Sequence, residues 1–331
     1  MTQCDICPRH CTIAERQTGF CGARTLQEGN IVSHTYGKTT GFAVDPIEKK
    51  PLNHFYPGSK ILSFGSIGCN FACRFCQNAD TAQSSDLTLL TVSAMPDEIV
   101  RLAKQHHCES VAFTYNEPII SAEYVRDIAA ACRSAGVKTV AVSNGYIAEK
   151  HRAAFFDLMD AANIDLKSFS ETFYRDYCGG EIETVKETLR YLSKSNTWLE
   201  VTTLLIPGLN DSDQELGELC DWFAKHLGYE VPLHFSAFRP ANWLQSLEST
   251  PPQTLFRARE TAMTAGLRYV YTGNIDDPAG QSTYCPQCGQ TVILRKRYVV
   301  DEYNIDAESC CRYCGQTLRG CFTDTAFPTG V

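Results

Sequence analysis

The chain lacks any apolar run approaching the length of a membrane span, which removes helical membrane proteins from consideration. Its first residues, Met1-Thr2-Gln3-Cys4-Asp5, contain no basic stretch followed by an apolar one, so no secretory leader is expected. It also lacks a surplus of positive charge: 30 Lys and Arg stand against 38 Asp and Glu, a net charge of -8. Phosphate contacts dominate nucleic-acid binding, so that balance argues against a broad polyanion-binding surface while leaving room for a local basic patch. Apolar and charged fractions are ordinary for a globular protein, and 331 residues suffice for one large α/β core with small appendages. Cysteine, by contrast, is abundant. Most of the 17 thiols fall within residues 4–21, 69–76 and 285–321, a grouping that favours metal ligation over a disulfide framework. A reducing, cytoplasmic setting is the default expectation.

The central group lies on one loop, Gly68-Cys69-Asn70-Phe71-Ala72-Cys73-Arg74-Phe75-Cys76-Gln77-Asn78, directly after the apolar run of residues 61–68. Three soft thiolates at this spacing, with no fourth ligand nearby, suit an iron–sulfur cubane better than a closed zinc site. A cubane held at three corners leaves one iron open to the amino and carboxylate groups of S-adenosylmethionine (SAM). An electron passed to the sulfonium would then release a 5′-deoxyadenosyl radical that abstracts hydrogen. Phe75, just before the third thiol, places a flat ring where adenine could pack. The alternative is three buried cysteines, or a zinc loop with a distant fourth ligand.

Short β-branched runs alternate with helical patterns through the middle of the chain, the sign of repeated βα units and a parallel sheet. The runs cover residues 61–68, 111–115, 139–143, 163–168, 199–206, 233–238 and 267–272. Buried helical stripes are expected at Ile99, Leu102, Ala103 and His106, at Val125, Ile128, Ala129 and Cys132, and at Leu216, Leu219, Cys220 and Phe223. These stripes assign Cys132 and Cys220 to packing. Six βα units and a seventh strand make a partial (β/α)6-type TIM barrel, whose chemistry belongs at the C-terminal ends of the strands. Asp165 with Lys167, Glu200 with Thr202, and His234 with Ser236 then share faces that point inward, toward a polar ligand or toward one another.

Both ends of the chain carry further thiols. Cys4, Cys7, Cys11 and Cys21 can close a tetrahedron around zinc or iron, with a second iron–sulfur cluster or reduced buried cysteines as alternatives and His10 as a spare. Cys285-Pro-Gln-Cys288-Gly289 and Cys311-Arg-Tyr-Cys314-Gly315 are paired knuckles of a zinc-ribbon-like module, with a rubredoxin-type iron site as runner-up and Cys310 and Cys321 as spares. Residues 29–59 read as irregular and turn-rich. Lys49, Lys50, His54, Phe55 and Tyr56 offer a lid over a pocket, against the plainer reading of solvated loop charges. The expected organisation is a Cys-rich extension and lid-like loop (1–59), the barrel (60–274) and the ribbon-like tail (275–331).

Taken together, these motifs resemble the radical SAM proteins related to pyruvate formate-lyase activating enzyme, and more closely the radical SAM member of the AmmeMemoRadiSam system. The resemblance rests on the N-terminal thiols with Pro8 and Gly22, on Asp45-Pro-Ile-Glu-Lys-Lys-Pro51, on Tyr56-Pro-Gly-Ser59, on the loop from Gly68 to Asn78, and on both tail knuckles. It implies a [4Fe-4S] cluster on Cys69, Cys73 and Cys76. It implies a SAM site in which Asn116 and Glu117 belong to the segment holding the methionine amino group, Asn144 follows the third strand, Asp165 and Lys167 lie near ribose and carboxylate, and His234 occupies the sixth strand. Tyr115 and Asn116 stand where the superfamily has glycines.

The resemblance further implies a flavodoxin- or ferredoxin-like electron donor and association with Memo-like and AMMECR1-like proteins. The main alternative is an activase that places a glycyl radical on a partner protein, and a third reading is an electron carrier or metal-dependent scaffold. A polar barrel interior argues against the third. No side chain is assigned a catalytic role beyond the cluster and SAM; Tyr115, His54 and Lys50 are candidates for substrate contact.

Overall fold

The computed structural model describes residues 1–324. Its centre is a sheet of eight strands: β1 (Phe42–Pro46), β2 (Lys60–Phe64), β3 (Ser110–Phe113), β4 (Lys138–Ser143), β5 (Ala161–Asp165), β6 (Trp198–Leu205), β7 (Leu233–Ala237) and β8 (Val270–Gly273). Each strand neighbours the next in the chain, and β2 to β8 are all parallel. All seven expected runs therefore appear as strands, with boundaries moved by a few residues.

The helices follow from caps and stripes. In α1 (Pro96–Gln105), Pro96 opens the first turn and the Glu98 carboxylate accepts from the Met95 amide at 2.7 Å. Helix α2 (Ala122–Ala135) stops at Gly136, whose φ of 72° is the left-handed conformation that glycine adopts without steric cost. The further helices are α3 (Glu149–Phe156), α4 (Ile182–Leu192), α5 (Asp213–His226) and α6 (Pro252–Thr264). Ser212 caps α5 through the Glu215 amide, Asp213 and Glu215 sit in its first turn, and Lys225 and His226 in its last, matching the helix dipole. Cys132 and Cys220 are buried in helix packing as expected. His106 is not: it is the C-cap of α1 and is exposed, because the helix ends before its stripe would bury it.

Residues 29–59 depart from the expected irregular lid. Phe42–Pro46 pairs antiparallel with β2 and forms an edge strand, a position that tolerates its terminal proline. Beyond it, Ile47, Leu52 and Phe55 pack against Ile61, Ala112, Val140 and Ala161, which lie near the starts of β2 to β5. The Asn53 and His54 amides donate to Glu200 of β6, and the His54 ring meets Tyr271 of β8. One segment thus touches strands from both halves of the sheet and plugs its N-terminal end, opposite the cluster loop. In the tail, β9 (Thr283–Tyr284), β10 (Thr291–Lys296) and β11 (Val299–Tyr303) form a small antiparallel sheet with its own apolar cluster around Val292, Ile293 and Ile305.

Candidate radical SAM site

The cysteine loop leaves β2 at its C-terminal end and is held there by amide side chains. Asn116, after β3, accepts from the Ser66 amide at 2.9 Å and donates to the Gly68 carbonyl at 3.0 Å. Asn70 donates to the Tyr146 carbonyl at 2.7 Å, and its own oxygen accepts from Asn144 at 2.8 Å. Gly68 has a φ of 86°, and a Cβ there would lie 2.0 Å from the Cys21 carbonyl, so only glycine lets the N-terminal segment come this close. Tyr115, where the resemblance has a glycine, keeps a left-handed φ of 69°, with its hydroxyl donating to Asp45 at 3.1 Å. Lys50 also pairs with Asp45, at 2.8 Å.

The expected site residues gather around this loop. Asn144 Nδ2 lies 3.7 Å from Cys69 Sγ. Buried Glu117 accepts from the Ser143 hydroxyl at 2.7 Å and the Asn144 amide at 2.8 Å, which ties the end of β3 to the end of β4. Burial pushes its carboxyl up to about 7 against the opposing pull of those donors. Asp165 and Lys167 pair at 3.0 Å, and the ammonium stands 5.8 Å from the Phe75 ring centre. Burial opposes the charge on Lys167, but Asp165 and the thiols of Cys73 and Cys178 raise its pKa well above the usual value.

The Cys69 thiol is raised by burial and by Glu117, and the Cys73 thiol by a hydrogen bond with Cys178 and by burial. Buried thiols of this kind ionise when a metal supplies compensating positive charge, so the donor set fits a bound cluster. The three are not gathered as tightly as four ligands of a single ion, which also suits a multi-iron cluster. Cys178 was not singled out by the sequence, although its place before Gly179 and Gly180 was visible.

His234 lies apart from this group. It is the second residue of β7, with Nε2 2.6 Å from Glu200 and its ring stacked on Tyr271 at 5.0 Å. Glu200 is pushed up by burial yet held below the ordinary range by the hydrogen bond from His234. His54 contacts Tyr271 and the Arg319 carbonyl and is fully buried in the plug. His234 does line a cavity of about 480 Å³ that extends from Gln77 of the cluster loop to Glu48 and Arg295. Arg295, from the tail, is buried among Glu48, Thr283 and the Asn53 carbonyl, contacts that no local pattern could reveal.

The tail thiols form the tightest set. Cys285, Cys288, Cys311 and Cys314 offer sulfurs all within 4.8 Å of one another, with Cys285 to Cys314 at 3.6 Å and Cys288 to Cys311 at 3.8 Å. A tetrahedral zinc with Zn–S near 2.3 Å needs sulfurs about 3.8 Å apart, so the set fits one ion. Gly289 and Gly315 take the expected left-handed conformation at φ of 72° and 76°. The N-terminal thiols approach each other less closely. Cys7 is raised to about 11 by burial and by its neighbours Cys21, Cys4 and Cys11, but among the described residues only the tail set is gathered as a single tetrahedral ion requires. Cys321 pairs with the plug at Phe55, and Cys310 contacts Thr317, so neither joins the tail ligands.

Comparison with known proteins agrees with this arrangement. The profile of the Radical SAM superfamily matches residues 65–222. The chain is 39% identical over 317 residues to the uncharacterized protein MJ0808 of Methanocaldococcus jannaschii, covering 96% of this chain and 94% of that one. It is 25% identical over 176 residues to pyruvate formate-lyase 1-activating enzyme of Escherichia coli, covering 52% of this chain and 71% of the relative. Among solved structures, a radical SAM methyltransferase from Sphaerobacter thermophilus superposes with a TM-score of 0.50 at 17% identity, over 72% of this chain and 71% of that one, a likeness of fold alone. Residues 65–222 thus form a radical SAM domain: the protein is an enzyme of the kind that uses a [4Fe-4S] cluster and SAM, related to the activases of glycyl-radical enzymes.

Proposed function

We propose that the chain is the radical SAM member of an AmmeMemoRadiSam-type system, acting on a substrate handled with Memo-like and AMMECR1-like proteins and reduced by a flavodoxin- or ferredoxin-like donor in the cytoplasm. The observation that carries the enzymatic part is the convergence of Cys69, Phe75, Glu117, Asn144, Asp165 and Lys167 at one end of the parallel sheet. In this reading Cys69, Cys73 and Cys76 hold the cluster, which when bound supplies the electron that splits SAM. The protein's own groups orient SAM. Asn116 and Asn144 fix the loop, Glu117 receives the amino group, Asp165 and Lys167 bracket the ribose and carboxylate, and Phe75 supports the adenine. His234, expected in that shell, stands apart from it: Glu200 fixes its ring, and it faces the neighbouring cavity instead.

The partial-barrel reading draws support from the plug, whose contacts run from β2 to β8, as expected of a sheet that curves around it. The proposed division is 1–59, 60–274 and 275–331, with residues 42–55 of the first part built into the central sheet, zinc on the tail thiols and a second metal on the N-terminal ones. The relationship to pyruvate formate-lyase 1-activating enzyme favours a second reading, an activase acting on a partner protein.

Replacing Cys73 by Ala is expected to abolish release of 5′-deoxyadenosine from SAM under reducing, anaerobic conditions while leaving the tail metal in place by elemental analysis. Undiminished release from that variant would sink the enzymatic reading. A glycyl radical detected by electron paramagnetic resonance in a co-purified partner would decide for the activase.

A further inference from the structure

The cavity beneath the cluster loop is built from parts of the chain that are far apart. Glu48 comes from the plug, Thr202 and His234 from β6 and β7, Arg239 from the end of β7, and Arg295 and Arg297 from the tail. Its volume, about 480 Å³, is that of a small-molecule pocket. Two observations describe what would fill it. In the wall, Glu48 Oε2 and Thr202 Oγ1 are buried and without a hydrogen-bond partner, although Glu48 Oε1 accepts from the Gly58 amide at 2.9 Å and faces Arg295. An unpaired buried carboxylate oxygen is costly and a hydroxyl can accept beside it, so a donor from a ligand is the natural complement. Toward the surface, Arg239 and Arg297 are exposed and have no ion-pair partner among the described residues; of the two carboxylates in the lining, Glu48 faces Arg295, which leaves Asp276. The interior thus asks for a donor and the surface side for an anion.

We infer that this cavity is the substrate site, and that the substrate is a compact amphoteric molecule, with an amine directed to Glu48 and Thr202 and a carboxylate directed to Arg239 and Arg297. The inference rests on the radical SAM reading for its reaction but not for its binding chemistry. It sets the enzyme apart from an activase, because the tail that carries Arg295 and Arg297 forms the wall of a cavity sized for a small molecule and not for a polypeptide loop.

The test uses the full chain loaded with iron, sulfide and SAM, titrated calorimetrically with straight-chain ω-amino carboxylates of two to six carbons and with the matching amines and carboxylic acids. At least one amino carboxylate is expected to bind at least tenfold more tightly than either of its halves. Arg239→Gln, at an exposed position that leaves the core untouched, is expected to weaken it tenfold, and Glu48→Gln likewise. Absence of binding by every amino carboxylate, equal binding of the halves, or an unchanged affinity in Arg239→Gln would overturn the inference. Release of 5′-deoxyadenosine without any probe, measured on the same preparation, reports on the radical SAM reading separately.

Discussion

His54 shows how much one side chain contributes when it is buried neutral. Its Nδ1 lies 2.8 Å from the Arg319 carbonyl, which can only accept, so Nδ1 carries the proton and Nε2 accepts from the Tyr271 hydroxyl at 2.6 Å. Burial depresses its pKa from 6.5 to about 4. Between those values the unfolded chain binds a proton that the folded chain refuses, so the stability contributed by neutral His54 is complete above pH 6.5 and is lost as pH falls toward 4. The loss amounts to about 3 kcal/mol from this group. Urea titrations at pH 7.5 and pH 5 are expected to show the wild type losing more stability than His54→Gln, although the variant begins less stable. Equal losses in the two proteins would rule out His54 as the origin of the acid sensitivity.

At the scale of elements, the cluster loop depends on neighbours from two separate segments. Its backbone pairs with the turn at 177–178, through the Ala72 amide to the Cys178 carbonyl at 2.8 Å and the Arg74 amide to the Tyr177 carbonyl at 2.9 Å. Arg9, inside the N-terminal thiol motif, stacks 3.5 Å from the Phe20 ring centre and donates to the carbonyls of Asn70, at 2.6 Å, and Gly179. A planar guanidinium can bridge two carbonyls where an ammonium cannot hold the same fork. Arg9→Ala is therefore expected to raise amide hydrogen exchange across residues 69–76 at least tenfold while moving the melting temperature by only a few degrees. Arg9→Lys should fall between. Unchanged exchange in this loop would show that the N-terminal segment does not steady it.

At the scale of the whole molecule, the tail is joined to the sheet through Arg295, which is 1% exposed and bonds to Glu48, Thr283 and the Asn53 carbonyl. Removing one member of a buried ion pair leaves the other uncompensated, at a cost of about 3–5 kcal/mol. Arg295→Met is expected to destabilise the protein by that order in chemical denaturation, and Arg295→Met with Glu48→Gln to recover part of it, since the stranded charge is then gone. A loss below about 1 kcal/mol in the single variant would mean that the pair is not what fixes the tail.

The thiol loop, the alternation of strands and helices, the packing of Cys132 and Cys220 and the two glycine-closed knuckles were all legible in the sequence, because each depends on residues within one turn, one loop or one helical stripe. The sequence also named Glu117, Asn144, Asp165 and Lys167, since a parallel βα chain delivers its strand ends to one side. Only the tertiary structure decided that residues 47–55 plug the sheet and form part of a cavity wall, that His234 turns to Glu200, that Cys178 stands beside Cys73, and that Glu48 meets Arg295. Those partners lie as much as 247 residues apart, and no local periodicity specifies which buried charges meet in the folded chain.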